Sequence, residues 1–324
     1  MNKPQAAIVY LSRSAEQDVS DLTRSLACLK KNFLKKFPYP VIVFVERDFK
    51  DEWKKQIVKK SGVAPRFETV DFRVPDFLDP QTIPEWVYHP KFNLGYRHMC
   101  RFFSGTIYLE PALKDYRWYW RLDTDAFLLE RIRYDIFESM EKDGCVYGYN
   151  IMSKDEETVS RGLWELTQQY LKERGIRPKF IDDFLENGVW DRSYYYTNFE
   201  ISSLDFWRSA PVRDYFDYVD RSGGIYRHRW GDALVHTLTV SIFLEKNQTR
   251  RFPVYYDHQG PHNAPVRKPS LFEKICTRLK KIRVTGPLDF LRKVRKVLER
   301  LRHVTGPKDF FRKAGRRLRK ILED

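Results

Sequence analysis

Apolar and polar positions change period repeatedly along this chain, and the alternation predicts its fold. Ala6 to Leu11 is an unbroken apolar run of the length that forms a buried strand. Asp18 to Phe37 follows with Leu22, Leu26, Leu29 and Phe33 at helical spacing, and Pro40 to Glu46 returns to a buried-strand pattern. A helix over Asp51 to Ser61 and a strand over Arg66 to Phe72 extend this βαβ beginning into an α/β fold with a parallel sheet. After loops around Pro75, Pro80, Pro84 and Pro90 come an amphipathic segment, Tyr96 to Tyr108, and an aromatic strand, Arg117 to Leu122. The pattern then predicts a strand over Gly144 to Ile151, a helix over Glu156 to Glu173, and a Tyr-rich strand and loop from Tyr194 to Ser202. Helices near Pro211 to Arg221 and over Ala233 to Phe243 precede a last strand, Arg251 to Tyr256.

Past Pro269 the pattern changes to a twenty-residue repeat starting at Val284 and Val304. Gly-Pro opens a helix in each copy, and Asp289 or Asp309 falls in its first turn, where negative charge is favourable. Leu288, Leu291, Val294, Val297, Leu298 and Leu301 form one apolar stripe, while Phe310, Phe311, Ala314, Leu318, Ile321 and Leu322 form the other. The chain divides accordingly into a catalytic-type domain, 1–266, and a basic helical tail, 267–324.

Charge supports this division. The formal net charge of +15 is concentrated in the tail, where 20 Lys and Arg face 6 Asp and Glu. A basic amphipathic helix suits an anionic membrane interface, packing on the main domain, or RNA. Because the aromatics keep to one face instead of interleaving with the cations, peripheral membrane contact is expected and nucleic acid is not. The four cysteines, Cys28, Cys100, Cys145 and Cys276, are far apart and fit a reducing compartment. The apolar stretch at the N-terminus is too short for a secretory signal or a membrane span.

Candidate chemistry begins at Asp123-Thr124-Asp125, where two carboxylates follow an apolar strand. Such a pair at a strand end can hold a hard divalent cation against a diphosphate, or can merely cap a turn. Glu200, flanked by Phe199 and Ile201, is either a solvent-facing residue or a buried acid. Asp232 stands at a helix start and could be an N-cap; His258 could ligate Mn²⁺ or be a polar loop residue. The chain lacks the GxxxxGK[ST] loop, a GxGxxG after the first strand, HExxH and GxSxG, which removes P-loop, dehydrogenase, zincin and serine hydrolase chemistry.

Taken together, GYRHMCRFFSG (Gly95 to Gly105), RWYWRLDTD (Arg117 to Asp125), NFEI (Asn198 to Ile201), DRSGGIYRHRWGDALVH (Asp220 to His236) and YYDHQG (Tyr255 to Gly260) resemble glycosyltransferase family 15, the fungal-type α-1,2-mannosyltransferases. The resemblance covers about residues 6 to 262. It implies a GT-A fold with a mixed, mostly parallel central sheet, GDP-mannose as donor, Mn²⁺ as cofactor, and retaining transfer to a glycan or glycolipid acceptor. Asp123 and Asp125 stand where the family carries Glu-Pro-Asp, and with His258 they match its metal site. Arg13 and Arg121 join the two aspartates as cofactor-binding positions. Glu200 matches the acid assigned to the reacting carbon, and Tyr96 and Asp232 match residues lining the sugar site. Fungal members reach the secretory pathway through an N-terminal anchor and stem. This chain starts close to its first catalytic strand, so the expectation is a cytoplasmic, membrane-peripheral relative, or a Golgi lumenal one if such an anchor is missing.

Overall fold

A computed structural model describes residues 3–88 and 92–258. The tail, with its repeat, its expected helices and its expected membrane contact, lies outside the described residues.

The strands are β1 (Ala6–Ser12), β2 (Val41–Val45), β3 (Arg66–Thr69), β4 (Trp118–Leu122), β5 (Ala126–Leu128), β6 (Tyr147–Tyr149) and β7 (Met152–Lys154). They continue as β8 (Leu185–Glu186), β9 (Val189–Trp190), β10 (Ser193–Tyr195), β11 (Phe199–Ser203), β12 (Thr249–Arg251) and β13 (Tyr256–His258). Seven of them form one sheet in the order β12-β6-β11-β4-β1-β2-β3. β11 runs antiparallel to both its neighbours, and every other pairing in the sheet is parallel. This is the mixed, mostly parallel sheet of a GT-A-type fold.

Helices on both faces explain why β1 and β2 are apolar throughout. Alternate residues divide between two cores. Ala6, Ile8, Tyr10, Trp118, Trp120 and Leu122 pack with the helices Glu16–Leu29, Asp51–Ser61 and Ile136–Lys142. Ala7, Val9 and Tyr119 pack with the helices Leu94–Ser104, Leu163–Arg174, Ala210–Arg221 and Asp232–Phe243. The Asp232–Phe243 helix has no polar stripe because nearly all of it is buried.

Two departures from the sequence pattern have physical causes. The expected Glu156 to Glu173 helix breaks into Glu157–Ser160 and Leu163–Arg174 at Gly162, whose φ of 80° lies in the left-handed region. The expected strand and loop over Tyr194 to Ser202 is found as β10, a short loop and β11. The expected Arg251 to Tyr256 strand leaves the sheet at Arg251, because Pro253 has no N–H to donate to a ladder. The chain then re-forms as β13 against β5, with His258 opposite Ala126. That detour carries His258 to the Asp123-Thr124-Asp125 turn. Among the described residues no helix is long and apolar enough to cross a membrane.

Candidate active site

A cavity of about 530 Å³ opens where β1 and β4 end. Strand C-terminal ends are where open α/β sheets bind nucleotides. Arg13, Tyr96, Arg121, Asp123, Asp125, Asp232 and His258 all line it.

Its acidic end is built from β4 and β13. His258 Nε2 lies 3.0 Å from Asp125 Oδ1 and 3.7 Å from Asp123 Oδ2. One donor atom from each of the three residues falls within 4.8 Å of the others. Two carboxylates and an imidazole form a mixed oxygen and nitrogen set that suits Mn²⁺, so the residues present fit the expected cation. The imidazole Nδ1 is buried without a protein partner. Burial alone would lower the His258 pKa, but hydrogen bonds to the two aspartates outweigh it and push it up to about 9. Burial would likewise raise Asp123, yet Arg121 and His258 hold it well below the usual carboxylate range.

Arg121 joins this end to the next. Its guanidinium lies 3.5 Å from the centre of the Phe103 ring and pairs with both Asp123, at 3.1 Å, and Asp232. Thr197 Oγ1 donates to the same Asp232 oxygen at 2.7 Å. Asp232 is the first residue of its helix, with Gly231 at the N-cap, so its side chain serves the cavity instead of capping backbone. Arg13 reaches over the rim, 79% exposed at its side chain, and is steadied by Asp18 at 2.9 Å.

Glu200 is placed differently from the sugar-facing position the resemblance implies. It is fully buried and is not among the residues lining the cavity. It registers opposite Arg121 on β11, and Oε2 accepts from Tyr147 at 2.9 Å and meets His236 Nδ1 at 2.7 Å. Burial raises its pKa, against the opposing pull of His236.

Sequence reasoning missed Arg229, Asp155, Thr197 and His236. Arg229 lies inside the Asp220 to His236 segment, but one arginine among several carries no mark in the sequence. His236 ended the same segment, and its partnership with Glu200 depends on helix packing.

The sequence profile described as Glycolipid 2-alpha-mannosyltransferase matches residues 1–286. The chain is 32% identical to Probable mannosyltransferase KTR3 of Saccharomyces cerevisiae, over 84% of this chain and 70% of that one. It is 30% identical to the Glycolipid 2-alpha-mannosyltransferase of the same yeast, over 82% of this chain and 63% of that one. Thus the chain spans less than two thirds of the second relative. Among solved structures, Core-mannan synthase A (CmsA/Ktr4) from Aspergillus fumigatus, in its Mn/GDP form, superposes with a TM-score of 0.74 at 28% identity. That match covers 82% of this chain and 77% of the other. The mannosyltransferase Ktr4p of S. cerevisiae, in complex with GDP, gives 0.71 at 27% identity, covering 81% and 73%. With the sheet order, the cavity at its strand ends and a profile match over most of its length, this chain belongs to the glycolipid 2-alpha-mannosyltransferase family, a family of glycosyltransferases.

Proposed function

We propose that this protein transfers mannose from GDP-mannose to a glycan or glycolipid acceptor, forming an α-1,2 linkage with retention at the anomeric carbon. The convergence of Asp123, Asp125 and His258 beside the Arg121–Asp232 pair in one cavity carries this reading. The solved relative in its Mn/GDP form supports the choice of metal and nucleotide.

Asp123, Asp125 and His258 would hold Mn²⁺, which when bound supplies positive charge to the diphosphate leaving group. Arg121 keeps Asp123 ionised and fixes Asp232 at the same time, so the two ends of the cavity are set by one rigid cation. As the bond from sugar to phosphate breaks, positive charge grows on the anomeric carbon, and a preorganised carboxylate stabilises it. Asp232 is the carboxylate that lines the cavity beside this bridge. Glu200 acts from behind the cavity lining by ordering His236 and Tyr147. Arg13 meets the nucleotide at the rim.

The test is a panel of nucleotide sugars assayed for transfer to mannosides, with and without Mn²⁺. Transfer from GDP-mannose alone, lost on chelation, is the expected outcome. Turnover with another donor would replace the substrate assignment, and no turnover with any donor would favour a non-catalytic adaptor. We also infer that the tail meets anionic membranes, supported by its segregated cations and apolar residues. Salt-sensitive sedimentation of the full chain with anionic but not neutral vesicles is expected; equal sedimentation with both overturns it.

A further inference from the structure

Arg229 occupies a strained position for a purpose that the reaction outlined above leaves unused. Its φ is 62°, in the left-handed region that a non-glycine residue adopts only under constraint. The turn aims a long side chain back across the cavity wall. One end of the guanidinium donates to Asp155 Oδ2 at 2.9 Å and the other to the Tyr96 hydroxyl at 3.0 Å. The group stacks 4.4 Å from the centre of the Phe92 ring, and its side chain is only 13% exposed. Its Nε is buried without a partner. Tyr96 is fixed independently, on the first turn of a helix capped by Asn93, whose Oδ1 accepts from the Tyr96 backbone N–H at 2.9 Å. Arg229, Asp155, Tyr96 and Asp232 all line the cavity.

A guanidinium has five donors and no acceptor. The Tyr96 oxygen must therefore accept from Arg229, and its single hydrogen must point elsewhere. We propose that Arg229 is a positioning residue that makes Tyr96 an obligate hydrogen-bond donor to a sugar hydroxyl oxygen bound beside Asp232. Asp155 holds the guanidinium in the plane this requires, and the Phe92 ring supports it from one face. The arrangement gives the cavity a directional preference for an oxygen acceptor at that point, so a deoxy sugar there loses the contact. The sugar is the transferred one or the receiving one. This assignment rests on the sugar-transfer reading above, and the experiment separates the two.

A double-mutant cycle on the full chain decides it, using R229Q, Y96F, the pair together and the conservative R229K. Metal-dependent GDP binding and thermal melting are followed alongside, to show that each variant folds. Donor hydrolysis without acceptor, transfer to methyl α-mannoside, and equilibrium binding of that mannoside with GDP and Mn²⁺ are measured for each. R229Q and Y96F should each lower kcat/KM about tenfold, the double variant should be no worse than either, and R229K should recover part of the loss. A loss in transfer and mannoside binding with unchanged hydrolysis assigns the contact to the receiving sugar; a matching loss in hydrolysis assigns it to the transferred one. Multiplicative losses, or normal kinetics in a folded R229Q, overturn the proposal. A wild-type protein that binds mannoside with the coupled pattern yet transfers nothing would overturn the transferase reading and leave this one standing.

Discussion

His236 Nδ1 sits 2.7 Å from Glu200 Oε2, while Nε2 of the same ring faces the Phe103 carbonyl at 2.8 Å. Nε2 also lies 3.0 Å from the Tyr108 hydroxyl, so the ring is held from both sides. Neither side chain of the pair is more than 1% exposed. Removing one partner strands the other. His236→Ala is expected to destabilise the protein by about 3–5 kcal/mol, the usual cost of breaking a buried pair, as read from denaturant unfolding. Glu200→Gln keeps the shape and should cost less, while lowering turnover by orders of magnitude with GDP binding retained. Near-normal turnover in a folded Glu200→Gln protein would remove Glu200 from catalysis.

Loss of a proposed metal ligand should show in binding before it shows in folding. Asp125→Ala removes the carboxylate nearest His258, and Mn²⁺-dependent GDP binding should be abolished in calorimetry while the melting temperature changes little. Retained metal-dependent binding would move the cation site elsewhere.

The pH dependence follows from His258. Its pKa in the folded protein is about 9, against an ordinary 6.5, so the metal-free fold gains stability from the protonated ring. That gain is complete below about pH 6.5 and disappears as pH rises through 9. Mn²⁺ must displace the same proton, so its affinity should rise up to tenfold per pH unit until about pH 9. Calorimetry in buffers of different ionisation enthalpy would measure the proton released; an affinity flat from pH 6 to 9 would exclude His258 as a ligand.

Gly224 is needed for a different reason. A Cβ there would overlap the Trp230 ring, which is buried next to Gly231 and Asp232. Gly224→Ala should cost about 1–3 kcal/mol from overpacking and reduce kcat by shifting the start of the Asp232 helix. Unchanged melting and kcat would show that Trp230 moves freely.

Much of this was legible from residue order. The apolar runs at β1 and β2 gave the parallel core, because strands covered on both faces carry no polar alternation. Asp123 and Asp125 were legible because a strand of aromatic residues ends at them. Depth was not legible: period-two alternation tells which face Glu200 takes, but not that it is fully buried against Tyr147 and His236. Nor was the contact between Glu200 and His236, since 36 positions separate them and only packing brings them together. The expected last strand failed at Pro253, and the resulting turn toward β5 is what delivers His258.

The reversed direction of β11 decides which stretch of chain can tune substrate choice. In a strand running with its neighbours, the segment following it would reach the catalytic rim; here it is the segment preceding it, Tyr196 to Asn198, that arrives there. Loop exchange between relatives should therefore transplant acceptor preference through the few residues ahead of Phe199, whereas grafts after Ser203 would decorate the far side of the molecule and leave selectivity untouched.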